Sequence, residues 1–123
     1  MASAADLDRI ARALPGVSVG RYWGDEGAYL FPGRGGRGLV GRRPPRRDEG
    51  TVDPRTGEPY TDLLVVYTAT PEAHDEALGS FPDDVVFTIP HLRRSNAVLA
   101  HLDRISPTDL EDLLDLAHRS KQD

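Results

Sequence analysis

Apolar residues recur with helical spacing at both ends of the chain and with strand spacing between them. In "SAADLDRIARALPG", Leu7, Ile10, Ala11 and Leu14 share one face of a helix predicted over residues 3 to 14, with Ser3 as N-cap and Asp6 three residues on. Pro15-Gly16 ends it, because proline disfavours helical backbone in the residue before it. At the other end, Ser106 reads as an N-cap with Pro107 in the first turn, and Leu110, Leu113, Leu114 and Ala117 form one apolar face. The acids Asp109, Glu111, Asp112 and Asp115 precede His118, Arg119 and Lys121, as the helix dipole favours.

The middle predicts strands over Val17 to Trp23 and Ala28 to Phe31, joined by a Gly24-Asp25-Glu26-Gly27 turn, and over Gly38 to Arg43. "LLVVY", Leu63 to Tyr67, reads as a fully buried strand. A short helix follows, capped by Thr70 with Pro71 at its first position and ending near Gly79. Two more strands are predicted over Val85 to Ile89 and Ala97 to Leu102; in the second, Val98, Ala100 and Leu102 alternate with Ala97, Leu99 and His101. Residues 44 to 62 are a long connection with four prolines and two glycines, in which "DPRTGE" suits a small hairpin. The order α-β-β-β-β-α-β-β-α lacks regular βαβ alternation. It predicts one α+β domain over residues 1 to 123, a mainly antiparallel sheet with helices on one face.

Charge changes the picture more than composition does. The chain carries 15 basic and 20 acidic side chains, a net −5. Residues 33 to 47 hold Arg34, Arg37, Arg42, Arg43, Arg46 and Arg47 and no acid, so the remainder is strongly acidic. Without cysteine there is no disulfide or thiolate metal site, which suits a reducing cytoplasm. No apolar run approaches the roughly 18 to 20 residues of a membrane span, and no membrane association is expected.

"GRGGRGLV", residues 33 to 40, matches G-x-G-x-x-G and the kinase pattern G-x-G-x-x-G-x-V. The dinucleotide fingerprint needs a helix to begin at its last glycine. Here Leu39-Val40-Gly41-Arg42-Arg43 and then Pro44-Pro45 follow, which suits a β-hairpin instead. A kinase would further need lysine-strand, H-R-D and D-F-G segments, and none follows.

The four histidines, His74, His91, His101 and His118, include no pair at a zinc-helix spacing, and no serine sits in G-x-S-x-G. Carboxylate pairs such as Asp25-Glu26 and Asp83-Asp84 fall in predicted turns and read as solvated. Catalysis, metal and cofactor are therefore not expected. Two-residue alternation would put Arg37, Leu39, Gly41 and Arg43 on one strand face, with Arg34, Arg42, Arg46 and Arg47 extending it.

"LPGV" after the first helix, "YWGD", "FTIPHLRRSNAVLAHLDRI" and the terminal leucine-rich helix resemble the MmcQ/YjbR family of small bacterial proteins, from about Ala4 to Arg119. The resemblance implies a frataxin (CyaY)-like α+β fold, with N- and C-terminal helices flanking the sheet, and a DNA-binding role; it carries no iron binding across. The expectation is weak, non-enzymatic binding of duplex DNA through Arg34, Arg37, Arg42, Arg43, Arg46 and Arg47, with Arg93 and Arg94 as further candidates. The alternatives are docking of the same basic face on an acidic protein surface or another copy of the chain, and a small-anion pocket lined by Trp23, His91 and Arg93.

Overall fold

Ser3 caps the first helix reciprocally: its hydroxyl accepts the Asp6 N–H, and the Asp6 carboxylate accepts the Ser3 N–H. That helix, α1 (Ala4–Ala13), lies on an antiparallel sheet with α2 (Pro71–Ser80) and α3 (Pro107–Ser120). The strands are β1 (Ser18–Tyr22), β2 (Asp25–Gly33), β3 (Gly36–Arg42), β4 (Leu63–Tyr67), β5 (Val86–Phe87) and β6 (Ala97–His101), in the order β1-β2-β3-β4-β6-β5. The computed structural model describes every residue except 23, 24, 93, 94 and 123, and for His91 only the backbone. No helix among the described residues is long and apolar enough to cross a membrane.

The α+β expectation holds, and the alternation in β6 explains the layering. Val98 and Ala100 point to the helices with Leu64 and Val66 of β4, against Leu7, Ile10, Leu110, Leu113, Leu114 and Ala117. Burying each large apolar side chain contributes about 1.5–3 kcal/mol, so this face dominates the folding energy. The opposite face is not covered by helices. Leu63 and Leu99 there meet Phe87 of β5 and Tyr60, Ile89 and Leu92, supplied by the connections 44 to 62 and 88 to 96.

The long connection is ordered by its own hydrogen bonds. Val52 bridges Pro59, and the Gly57 N–H donates to the Asp53 carbonyl at 2.8 Å, so "DPRTGE" forms the small hairpin. Thr51, 1 % exposed, donates its hydroxyl to the Arg46 and Asp48 carbonyls and ties the segment's first turn.

Four expectations need correction. β2 begins at Asp25, so Asp25, Glu26 and Gly27 belong to a strand; Tyr22 already pairs with Asp25. The strand expected over residues 85 to 89 shortens to Val86–Phe87, because Val85 and Val86 donate to Pro82 in a turn and a 3₁₀ turn occupies Pro90–Leu92. "LLVVY" is not buried on both faces: Val65 and Tyr67 stay partly exposed. Finally, β3 carries a bulge: Tyr29 pairs with Val40 but Leu30 with Gly38, leaving Leu39 as the extra residue. Leu39 and Val40 therefore both enter the helix-side core, and the four-residue face of Arg37, Leu39, Gly41 and Arg43 does not form.

Candidate binding cleft on the uncovered sheet face

The β2–β3 hairpin turns through Arg34-Gly35, with Gly35 at φ +82° and Gly36 at +111°, where a side chain would be strained. Its tip is fastened from below. The Arg34 N–H donates to the Lys121 carbonyl at 3.1 Å, and Lys121 Nζ donates back to the Arg34 and Gly36 carbonyls at 3.2 and 2.7 Å. Lys121, at the end of α3, is 2 % exposed, and burial lowers its pKa.

Beyond the tip the glycines of β3 make room for aromatic rings. A Cβ on Gly38 would stand 2.5 Å from Tyr22 Cε2 and 2.9 Å from Tyr67 Cδ2. Glycine thus lets both tyrosines lie against bare backbone, edge to face with centroids 5.3 Å apart. Arg37 extends over the Tyr22 ring at 5.8 Å and donates to the Arg21 carbonyl. At Gly41 a Cβ would come within 3.1 Å of the Asp25 carboxylate, which accepts the Arg42 N–H at 2.7 Å and the Gly27 N–H at 2.9 Å. Asp25 is a brace between β2 and β3, not a solvated turn residue.

These side chains enclose a cleft of about 310 Å³. Its floor is Ala28, Gly41, Val65 and Ala97; Tyr22, Tyr67, Leu92 and Ser95 flank it, and Asp25, Arg42, Arg43 and Arg46 form its polar end. Burial first, then the neighbouring Tyr22 and Asp25, push the Tyr67 phenol up to about 12, against the opposing pull of Arg43. The Ser95 hydroxyl accepts the Ala97 N–H at 3.0 Å.

Arg43 is the unusual member. Its N–H continues the β3–β4 pairing by donating to the Leu63 carbonyl at 2.9 Å, which turns the side chain under the connection. The residue is 8 % exposed and its Nη2 donates to Asp48 at 2.5 Å, but buried Nε has no hydrogen-bond partner. A guanidinium carries five N–H donors, and among the described residues Arg43 commits one side-chain nitrogen, to Asp48.

The structure therefore divides the expected arginine cluster. Arg47 donates to Glu58 and to the Gly57 carbonyl. Arg43 is buried and ion-paired to Asp48. Arg37 lies on Tyr22, and Arg34 stands at the exposed hairpin tip, away from the cleft lining. Arg42 and Arg46 are exposed at the polar end of the cleft. Trp23, Arg93 and Arg94 lie outside the described residues, as does the His91 side chain, whose backbone sits in the 3₁₀ turn beside the lining residue Leu92.

His118 and His101 serve packing. His118 donates from Nε2 to the Pro15 carbonyl at 2.8 Å and stacks on Phe31. His101 Nδ1 meets the Asp62 carboxylate at 3.1 Å between Tyr60 and Phe87. His74 faces Asp75 at 3.5 Å. Among the described residues no group of three His, Asp or Glu side chains could hold a metal ion. The acids gather elsewhere: Glu76, Asp109, Asp112 and Asp115 line a groove between α2 and α3.

Sequence reasoning missed Tyr22, Asp25, Val65 and Tyr67 as lining residues. The available signal was Gly38 and Gly41 in an otherwise apolar strand, since glycine inside a strand marks a bulge or a close approach. No family model, curated protein or solved structure matches the chain.

Proposed function

We propose that the chain is a non-catalytic, MmcQ/YjbR-like binding protein whose working surface is the uncovered sheet face, where the cleft holds a small anionic ligand. One observation carries this reading: Arg43 is more than nine-tenths buried beside an apolar cleft, with Nε unpaired. Asp48 holds one nitrogen of the guanidinium, and its further N–H donors are groups that an anionic ligand at this end of the cleft can use. The cleft is also of the size and largely apolar character of small-molecule sites.

The test uses 1-anilinonaphthalene-8-sulfonate, an anion with an apolar body. Wild-type protein should bind one molecule per chain with enhanced fluorescence. Val65→Trp, which fills the floor from a partly exposed strand position, should abolish the signal while leaving far-UV circular dichroism and cooperative urea unfolding native. Undiminished fluorescence in that variant would place the probe elsewhere and remove the reading.

A second reading, DNA binding, is favoured by Arg42 and Arg46, which are exposed together at the cleft's polar end and show no acidic partner among the described residues. So few phosphate contacts predict weak binding with a shallow salt dependence, a log–log slope of about −2. Fluorescence anisotropy of a labelled random duplex should then lose most of its response in Arg42→Gln/Arg46→Gln. An unchanged titration in that double variant would sink the reading.

A further inference from the structure

We infer that the cleft is specific for a monoanionic carboxylate on a flat, apolar ring, rather than for a phosphate or a neutral aromatic. The inference rests on the reading of the cleft as the functional site and adds the class of ligand. Charge sets the first limit. Among the described residues, Arg42, Arg43 and Arg46 line the same end of the cleft as Asp25, and Asp48 holds Arg43. The arginines there favour an anionic head over a neutral one. A singly charged head meets less repulsion from Asp25, at the same end of the cleft, than a phosphate dianion does.

Shape sets the second limit. A guanidinium presents its donors in a planar fork that matches a carboxylate, and Arg43 has used only part of that fork. The fork is held from two sides, by the strand-type hydrogen bond of its own backbone and by Asp48, so the cation stays near the cleft with or without a ligand. Away from this end the walls are apolar. The floor of Ala28, Gly41, Val65 and Ala97 carries no long side chain, and Tyr22 and Tyr67 offer ring surface beside it. A flat ring is the body such a slot accepts with the greatest contact.

The experiment is a ¹H–¹⁵N amide titration of the full chain with 2-naphthoate, 2-naphthamide and 2-naphthyl phosphate in turn. The inference expects 2-naphthoate to shift the amides of Gly41, Arg43, Val65 and Ala97 saturably. The amide and the phosphate should each bind on the order of tenfold more weakly, the first for want of charge and the second through repulsion. Arg43→Gln should abolish the preference for the carboxylate. If that variant does not fold, Arg46→Gln, at an exposed position, should weaken 2-naphthoate several-fold and leave 2-naphthamide unchanged. Tighter binding of the phosphate, or equal binding of the neutral amide, would overturn the ligand class while leaving the cleft as the site. If none of the three compounds moved those amides, the inference and the proposed function would both fall.

Discussion

One sheet presents two faces of different construction. On the helix side Leu39, Leu64, Val66 and Val98 are fully buried against Leu113 and Leu114, and every large apolar group has a partner. On the other side the same strands offer Gly38, Gly41, Val65 and Tyr67, a half-covered strip with a buried arginine at its end. The first face is built for stability, since replacing any part of it loses close-packed contacts. The second leaves contacts unmade, which stability alone does not require.

The sharpest way to break this contrast is to compare truncations on the two faces. Leu114→Ala should cost about 2–5 kcal/mol in urea denaturation, the range for deleting a fully buried leucine. Val65→Ala, at a partly exposed floor position, should cost roughly 1 kcal/mol or less. Equal losses would mean that the cleft face is as tightly packed as the core.

A smaller effect separates two ion pairs in the long connection. The side chains of Arg43 and Asp48 are 7 % and 32 % exposed, while those of Arg47 and Glu58 are 63 % and 72 % exposed. Asp48→Asn should therefore destabilise by roughly 1.5–3 kcal/mol, as expected for a charged hydrogen bond shielded from water. Glu58→Gln should cost less than about 1 kcal/mol. If the order were reversed, the description of Arg43 as held from behind by Asp48 would be wrong.

Gly38→Ala probes the tyrosine seat directly. The added methyl must displace Tyr22 and Tyr67, at an expected cost of about 1–3 kcal/mol and with a changed tyrosine signal in near-UV circular dichroism. An unchanged spectrum would show that the rings do not lie on that strand.

Titration gives a comparison with one reporter on each face. Tyr29, on the helix side, is raised to about 12 by burial and by its hydrogen bond to Asp8; Tyr67, in the cleft, is raised to about 12 by burial and by Tyr22 and Asp25. Both folded values exceed the ordinary 10, so the folded chain keeps these protons longer than the unfolded chain does. Their stabilising contribution is complete below pH 10 and is lost between pH 10 and about 12. Absorbance at 295 nm should show a late-ionising component that Tyr29→Phe and Tyr67→Phe each reduce. If Tyr67→Phe removed only signal near pH 10, the phenol would be more open to water than the cleft geometry requires.

Legibility in the sequence follows the range of the interactions involved. The caps at Ser3, Thr70 and Ser106, the hairpin in residues 33 to 40 and the alternation in β6 could be read because each depends on residues within a few positions of one another. The bulge at Leu39 could not, because it arises from the pairing of β3 with β2 and its consequence is to shift which residues face the helices. The arginines were legible as a cluster and misleading as a surface: the chain's path after β3 buries Arg43 and delivers Glu58 to Arg47. Lys121 was placed at a helix C-terminus by its charge, but only the hairpin folding against α3 turns it into a buried clasp. The cleft itself gathers residues from β1, β2, β3, β4, β6 and two connections, so no local pattern announces it.

The most direct measurement is the side-chain Nε–H resonance of Arg43, assigned by its disappearance in Arg43→Lys, followed as 2-naphthoate is added. The account predicts a proton slow to exchange with water in the free protein, as befits a buried Nε, that moves downfield in step with the Gly41 and Val65 amides. An Arg43 resonance that stayed fixed while those amides saturated would contradict it, because the ligand would then occupy the cleft without engaging the guanidinium that marks it as a site.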